Sequence, residues 1–492
     1  MLSELAFALV VPAALIALID WRTGLFAMIV VAFLQDPARK LEIDEPVYFT
    51  LLAGIVFATA YIAAQLRTLF FPTQIPGWKH SVRMHFYVFL VLVAAQAANA
   101  MLLYGNPIIV GIGALSYLAP LPALLAGYHF ALKGGMTGIQ RWFILYLIAA
   151  LVMLPSILLQ YAGFDWQVLG EVGAGIRMYG EGGILTANAG FFRSSEMAAW
   201  HASTAVCVLL LLGSLGRVSA TRTLAVIGII VALLAIGMLT GRRKLFVEVS
   251  IFFGVYVTLL ALFGKGGIKL AVFAMLGALM SYVLLTTVVD EQSSTIAGRD
   301  AIVFQDYAER GATVASDVSD RFGELGLAPV GWAIDRFGWL GGGLGVASQG
   351  AQYFGAGAER FGGAGEGGLG KITAELGVPG LAIMLWVGFA MMRYGWRVLV
   401  YVSRRSRTVA RLAYGLAALL IANLAVFSVA TQLFGDLFVL LMLGMAAGFL
   451  LATPELAERE QAQRAAARER ALLSPPGVGP GAQWVVPRAG RP

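Results

Sequence analysis

Long apolar runs, separated by short polar segments, follow one another along most of the chain. A helix needs about 20 apolar residues to cross the hydrocarbon core of a bilayer, which is about 30 Å thick. Backbone polar groups in that core must bond to one another, so each run is expected to form a helix. This criterion predicts thirteen spans, of which the first two are short: residues 5–19, 24–34, 47–66, 84–103, 108–131, 142–161, 195–214, 223–240, 245–263, 268–289, 371–392, 410–430 and 433–452.

Composition supports the same class of protein. The chain is 59% hydrophobic and 13% charged, whereas soluble domains contain about 25% charged residues. We therefore predict an all-α integral membrane protein with about 12–14 transmembrane helices. The first apolar run follows Glu4 and leads into a second apolar run rather than a cleavage site, so we expect it to be retained. The single cysteine, Cys207, excludes a disulfide framework and a CxxC metal site.

The predicted spans divide the chain into four parts. Residues 1–289 contain about ten membrane helices, 290–370 form one large periplasmic loop, 371–452 contain three more helices, and 453–492 form a charged cytoplasmic tail that is partly disordered. In the loop, apolar positions recur at helical spacing over residues 299–322, which predicts an amphipathic helix along the membrane surface. The glycine-rich residues 341–370 fit either close backbone packing or a flexible linker.

Lysine and arginine in the short loops predict the orientation, because cytoplasmic loops are enriched in them. The loop 393–411 contains six arginines and is expected in the cytoplasm. Alternation of the spans then places the other basic loops on the same side and the amino terminus outside. It also places residues 162–194, 290–370 and 241–244 on the outer face. The consecutive cations Arg242, Arg243 and Lys244 are thus an exception to the rule that orients the other loops.

These three cations suit a phosphate ligand. The guanidinium group presents a planar set of donors, and charge-assisted hydrogen bonds are about twice as strong as neutral ones. The alternative is that Arg242, Arg243 and Lys244 extend to lipid headgroups. Glu248 lies four residues after Lys244, so it either pairs with that lysine or orients an arginine.

A second group of candidates lies in the sequence GFFRSSEMAAWHAS, residues 190–203. Arg193 and Glu196 are three residues apart and are expected to share a helix face. His201 is predicted to lie deeper in the seventh span, where an ionisable side chain is a functional candidate. The alternative is a neutral histidine that hydrogen-bonds between helices, with Arg193 paired to Glu196.

The outer loop and the start of the eleventh span supply Arg299, Glu366 and Glu375. Arg299 is alternatively a solvated surface charge, and Glu375 an exposed first-turn residue favoured by the helix dipole. The motifs GxxxxGK[ST], HExxH, GxSxG and DxD are absent from the sequence, so nucleotide hydrolysis, zinc or serine hydrolysis and metal-dependent sugar transfer lack support. We expect no metal, no cofactor and no nucleic-acid partner, because orientation and anionic lipid explain the net charge of +7.

Over residues 186–390, the order and spacing of these motifs resemble the O-antigen polymerase and O-antigen ligase family of bacterial envelope enzymes. GFFRSSEMAAW resembles the arginine-containing start of a membrane helix, and LTGRRKLF resembles a TxSRxxxl stretch with Arg242 on its arginine. GRDAIVFQDY followed by GGLGVASQG is similar to an outer-loop arginine and a glycine-rich turn, and ITAELGVPGL to a closing ExGxxGL. Many relatives carry a histidine where this chain reads GEGGLGKI, and its absence favours polymerisation over ligation.

The resemblance implies a metal-independent membrane glycosyltransferase in the bacterial cytoplasmic (inner) membrane. It would polymerise oligosaccharide units carried on undecaprenyl diphosphate at the outer face, with membrane lipid and other export-machinery proteins as partners. Arg242, assisted by Arg243 and Arg299, would hold the diphosphate, while Glu366 or His201 would deprotonate the acceptor hydroxyl. The remaining candidates would bind substrate: Arg193, Glu196 and Glu375.

Three alternatives remain open from the sequence. One is a transporter of a lipid-linked or amphipathic anion, although two halves of similar hydropathy are not evident. Another is a ligase that transfers glycan to a lipid or protein acceptor. The third is an inactive scaffold of an export complex.

Overall fold

The computed structural model describes residues 3–473 except 43, 45, 69, 171, 173–176, 181–182, 217–218, 243, 265–321 and 349–366. In that part of the chain, nine helical stretches are long and apolar enough to cross a membrane. The protein is an all-α integral membrane protein. The predicted span at 268–289 and residues 299–321 of the predicted amphipathic helix lie outside the described residues.

Fifteen helices are described, and each predicted span other than 268–289 coincides largely with one of them, with part of one, or with two consecutive ones. The helices are α1 Glu4–Ile19, α2 Trp21–Leu41, α3 Leu52–Thr68, α4 Trp78–Ser81, α5 Arg83–Tyr104, α6 Pro107–Leu118, α7 Pro120–Met153, α8 Ser156–Tyr161, α9 Ser195–Leu215, α10 Ala220–Met238, α11 Lys244–Phe263, α12 Ala328–Phe337, α13 Gly368–Ser403, α14 Arg407–Val429 and α15 Leu437–Leu473.

Shorter elements connect them. The 3₁₀ turns are Val47–Leu51, Pro72–Gln74, Gln167–Leu169 and Gln432–Gly435, and a π-helical turn covers Phe322–Leu327. Strands β1 Arg177–Gly180 and β2 Gly183–Thr186 pair in antiparallel register, with Met178 opposite Leu185. This small hairpin lies in the connection between α8 and α9.

Helices α1 and α2 form a hairpin, and a single residue, Asp20, separates them. Asp20 has an extended backbone, and its carboxylate accepts hydrogen bonds from the backbone N–H groups of Arg22 and Thr23. An aspartate at this position satisfies donors that the first turn of α2 leaves free. Helix α1 has 16 residues, so it is shorter than the usual length of a spanning helix.

Helix α7 reverses direction at Gly135, where φ is 61° and ψ is −164°. The ring of Phe449 lies 5.8 Å from that of Phe130 and 6.0 Å from that of Phe143. In one continuous helix, Phe130 and Phe143 would be about 20 Å apart. Residues 107–134 and 136–161 are therefore two spans, as the sequence predicts.

Helix α13 breaks at Gly377, where φ is 72°. The N-terminal segment, residues 368–376, precedes the break, and the longer segment continues to Ser403. Backbone groups near the break bond to the turn before it: Val378 N–H donates to Trp339 O, and Gly342 N–H donates to Ala374 O. These bonds give partners to backbone N–H and C=O groups that lose their helical hydrogen bonds at the break.

The glycine-rich turn 341–348 packs closely against neighbouring backbone. A Cβ on Gly345 would lie 2.1 Å from Ile109 O, and one on Gly341 would lie 2.5 Å from Gly377 N. The sequence left two alternatives for the glycine-rich segment, close backbone packing or a flexible linker. Residues 341–348 pack closely. Residues 349–366 lie outside the described part of the chain.

Contacts between connecting segments define two ends of the helix bundle. At the first, which we name the basic end, Arg67 donates to Ile19 O, Arg397 to Ser81 and Arg411 to Ser214 O. The first turns of α9 and α11 and the residue before α15 lie at the second, which we name the opposite end. Helix α15 continues beyond its apolar part to Leu473, so the predicted tail begins as a helix.

Candidate functional site

The start of α9 arranges the first candidate residues. Ser194 caps the helix by accepting a hydrogen bond from Met197 N–H at 3.3 Å, so the helix begins at Ser195. Glu196 lies in the first turn, whereas Arg193 precedes the helix. The expectation that Arg193 and Glu196 share a helix face is therefore wrong, because the cap residue separates them.

Arg242 reaches this first turn from the connection between α10 and α11. Its Nε donates to Ser195 Oγ at 2.9 Å, and its Nη1 lies 3.2 Å from Glu196 Oε1. Lys244 Nζ lies 3.4 Å from the same carboxylate oxygen. Since two cations share one carboxylate, this group of Arg242, Lys244 and Glu196, which we name the cation group, carries a formal charge of +1.

The Arg242 side chain remains 26% exposed. Its guanidinium is oriented by a hydroxyl and a carboxylate on α9, and part of it stays accessible to a ligand. Such a preoriented cation is suited to bind an anion without further rearrangement.

Arg193 is held differently. Its Nη1 lies 2.6 Å from Asp436 Oδ2, and its backbone N–H donates to Asp36 Oδ2 at 3.1 Å. Burial disfavours the charged guanidinium, but the carboxylates of Asp436 and Asp36 outweigh it and raise the pKa of Arg193 above its usual value. This buried ion pair joins α2, the start of α9 and the start of α15.

Two further bonds fix the segment before α9. Lys40 Nζ donates to Gly190 O at 2.7 Å, and Asn188 Nδ2 donates to Leu239 O at 2.8 Å. The loop that carries Arg193 is thereby attached both to α2 and to the end of α10.

His201 lies about 9 Å further along α9 from Ser195. It is 4% exposed, and its Nδ1 is 3.1 Å from the Tyr146 hydroxyl. Its ring centroid lies 4.6 Å from that of Phe33 and 4.9 Å from that of Phe192. This enclosure favours the alternative in which His201 hydrogen-bonds between helices over the proposed role as a base.

Glu248 points into the bundle. Its carboxylate accepts hydrogen bonds from Ser203 Oγ at 2.5 Å, Thr204 Oγ1 at 3.0 Å and Asn423 Nδ2 at 3.2 Å. Trp200 Nε1 donates to Asn423 Oδ1. The carboxylate therefore links α9, α11 and α14, a role that neither sequence interpretation of Glu248 includes.

Glu375 lies two turns into α13 and is 0% exposed. Its Oε1 accepts hydrogen bonds from Ala347 N–H at 3.2 Å and from Ser348 Oγ at 2.8 Å. The alternative of an exposed first-turn glutamate is wrong, because α13 begins at Gly368 and the glycine-rich turn covers the side chain.

The structure thus brings Arg193, Glu196 and Arg242 to one end of the bundle. Of the other predicted site residues, Arg243, Arg299 and Glu366 lie outside the described residues. Several residues that hold this end together are not among the candidates from the sequence. These residues are polar and lie at the edges of apolar runs, which is the only feature of the sequence that could have marked them as candidates. They are Asp36, Lys40, Ser195 and Asp436.

No protein-family model matches the chain, and no curated protein matches it either. The residues and their contacts are therefore the basis for assigning a function.

Proposed function

We propose that the protein is a membrane glycosyltransferase that polymerises oligosaccharide units carried on undecaprenyl diphosphate at the outer face of the bacterial cytoplasmic membrane. The motif order over residues 186–390 supports this proposal. The observation that carries it is Arg242 at the opposite end from the basic loops, where Ser195 and Glu196 orient its guanidinium and its side chain stays 26% exposed.

The reaction needs a cation where the leaving group departs. The acceptor hydroxyl attacks the anomeric carbon of the donor sugar, and the bond from that carbon to the diphosphate oxygen breaks. Negative charge therefore accumulates on the diphosphate in the transition state. A preoriented donor such as Arg242 lowers this barrier, and loss of one such donor typically costs about 3–4 kcal/mol.

The resemblance supplies the roles of Arg243, Arg299 and Glu366, and the contacts of Arg193 and Glu196 supply theirs. Arg243 and Arg299 assist Arg242 on the diphosphate, and Glu366 accepts the proton of the acceptor hydroxyl. Arg193 is better suited to positioning the start of α9, because Asp436 occupies its guanidinium. Glu196 orients Arg242 and so acts on the diphosphate through it.

We expect Arg242→Gln to reduce polymer about 100- to 1,000-fold while lipid-linked repeat units accumulate. The measurement is polymer length and lipid-linked glycan in cells that express equal amounts of each variant. Arg468→Gln is the matched control, since Arg468 is exposed on the terminal part of α15. Normal polymer from a well-expressed Arg242→Gln variant would exclude the proposed role.

The break in α13 favours the second candidate, a transporter, since interrupted helices recur in transporters. Purified protein in liposomes that contain lipid-linked oligosaccharide separates the two functions. Polymerisation lengthens the glycan covalently. Movement of an unchanged glycan lipid across the bilayer would instead identify a transporter.

A further inference from the structure

A cavity of about 240 Å³ lies between helices α5 and α7 near the basic end, apart from the cation group. Leu124 and Leu125 of α7 form a buried wall of this cavity, and Tyr87 and Leu90 of α5 form an exposed one. Because the exposed wall belongs to a helix that is long and apolar enough to span the membrane, the cavity opens towards the bilayer. We name it the α5–α7 cavity.

The mouth of the α5–α7 cavity carries a positive charge. Arg83, the first residue of α5, is exposed and is the only charged side chain among the described residues that line the cavity. Leu90 lies seven residues further along the same helix, about 10 Å deeper in the membrane. Trp78 also lines the cavity, and tryptophan is enriched at the level of the lipid headgroups. One end of the cavity therefore lies among headgroups and the other among acyl chains.

The connection between α3 and α5, residues 71–81, supplies part of the cavity lining and is fixed to α13. The Tyr394 hydroxyl donates to the carbonyl oxygen of Pro76. Arg397 donates from Nη1 to Ser81 Oγ at 3.2 Å. The cavity is therefore largely preformed, so a ligand can enter it at little cost in ordering the protein.

The lining selects an anionic lipid. An acyl chain can fill the apolar part of the cavity, whereas water would find few hydrogen-bond partners there. At the mouth, the guanidinium of Arg83 suits phosphate oxygens, since it presents paired N–H donors. Phosphatidylcholine carries a choline cation that cancels the charge of its phosphate, so a headgroup with net negative charge is favoured. The nearby Arg397 adds to the positive potential at this end.

We propose that the α5–α7 cavity binds one acyl chain of an anionic phospholipid, with the phosphate of that lipid on Arg83. The bound lipid joins α5 to α7 at the basic end of the bundle. The site shares no residue with the cation group, so it does not depend on the proposed function.

Photo-crosslinking locates the acyl chain. The probe is phosphatidylglycerol with a diazirine on one acyl chain, added as a minor component to phosphatidylcholine nanodiscs that contain the purified protein. We expect cross-links to Leu124 or Leu125, which lipids around the bundle do not reach because both side chains are buried. Leu102 is exposed at the other end of α5, so its labelling reports the surrounding lipid.

Competition measures the headgroup preference. Unlabelled phosphatidylglycerol should displace the probe from Leu124 and Leu125 at about one tenth of the concentration that phosphatidylcholine needs. A tenfold preference corresponds to about 1.4 kcal/mol, close to the lower value for a hydrogen bond to a charged group. Labelling of Leu102 should show no such preference.

Two variants at exposed positions separate the contributions of the headgroup and the chain. Arg83→Gln should reduce the headgroup preference to less than about twofold. Leu90→Trp should fill the cavity and abolish labelling inside it. The matched controls are Arg404→Gln, an exposed arginine at the same end, and Leu103→Trp, an exposed position on α5 outside the cavity; both should behave as the native protein does.

Three results would overturn this inference. A lack of cross-links to Leu124 and Leu125 in the native protein would exclude an acyl chain from the cavity. Equal displacement by the two phospholipids, or a preference that survives Arg83→Gln, would exclude the anionic headgroup site. Stronger displacement by undecaprenyl phosphate than by phosphatidylglycerol would assign the cavity to a polyprenyl lipid instead. The role of Arg242 is tested separately, through polymer formation.

Discussion

Arg193 and Arg242 differ in what occupies their guanidinium groups. Arg193 pairs with Asp436, which is 1% exposed, so its charge is used to join three segments of the chain. Arg242 shares the Glu196 carboxylate with Lys244, and its side chain is 26% exposed. Two arginines that look alike in the sequence are therefore held differently: Arg193 pairs with a buried carboxylate, whereas Arg242 pairs with one that Lys244 also contacts.

At the scale of single residues, His201 offers a direct test of catalytic against structural roles. We expect His201→Phe to destabilise the protein by about 1–2 kcal/mol, since the Tyr146 hydroxyl loses a partner. Polymer formation per folded molecule should stay within about threefold of the native protein. The measurements are polymer yield and thermal unfolding in detergent.

Tyr146→Phe is the matched control, because it removes the other half of the same hydrogen bond. The double variant should be less destabilised than the sum of the two single variants, as expected for residues in contact. A loss of activity of 100-fold or more in folded His201→Phe would instead identify a general base.

At the scale of elements, both breaks inside long helices occur at glycines with positive φ. Gly135 turns α7 into two spans, and Gly377 separates the first part of α13 from the rest. Their surroundings differ: a Cβ on Gly135 would have open space, whereas one on Gly377 would lie 2.5 Å from the carbonyl carbon of Leu340. The second break is therefore also a place of close packing.

This difference predicts unequal costs for the same substitution. Gly135→Ala should destabilise the protein by about 1–3 kcal/mol, the cost of a positive φ combined with an extended ψ for a residue with a side chain. Gly377→Ala adds a steric clash to the same strain, so its melting temperature should be lower than that of Gly135→Ala. Equal melting temperatures would show that the 339–348 turn does not pack against the break.

At the scale of the whole molecule, the proposed function requires the opposite end to face outward. In a Cys207→Ala background, Asp165→Cys lies in the connection before α9 and Gln463→Cys lies in the helical tail, both at exposed positions. A membrane-impermeant maleimide should label Asp165→Cys in intact cells and Gln463→Cys only after permeabilisation. Cys207 is buried, so its removal is needed only to exclude background labelling.

The reverse labelling pattern would place Arg242 in the cytoplasm. The cations would then serve as ordinary topological anchors, and the proposed glycosyltransferase would have to be abandoned.

Hydropathy predicted the order of the long described helices, but it misplaced some of their ends. The second span was predicted over 24–34, whereas α2 covers Trp21–Leu41 and includes Asp36 and Lys40. When only the sequence is used, a predicted span ends where the first charged residue interrupts the apolar run. In the folded protein these charges remain inside the helix, because partners from distant segments satisfy them.

The sequence by itself determined that the chain forms membrane helices, because each apolar run must satisfy its backbone locally in the bilayer. It also singled out Arg242, Lys244, Glu196 and Glu375 as candidates. Only the tertiary structure decided that Asp436 pairs with Arg193 and that Glu196 lies between Arg242 and Lys244. Those contacts join residues far apart in the chain, and their partners depend on how the helices pack rather than on local hydropathy.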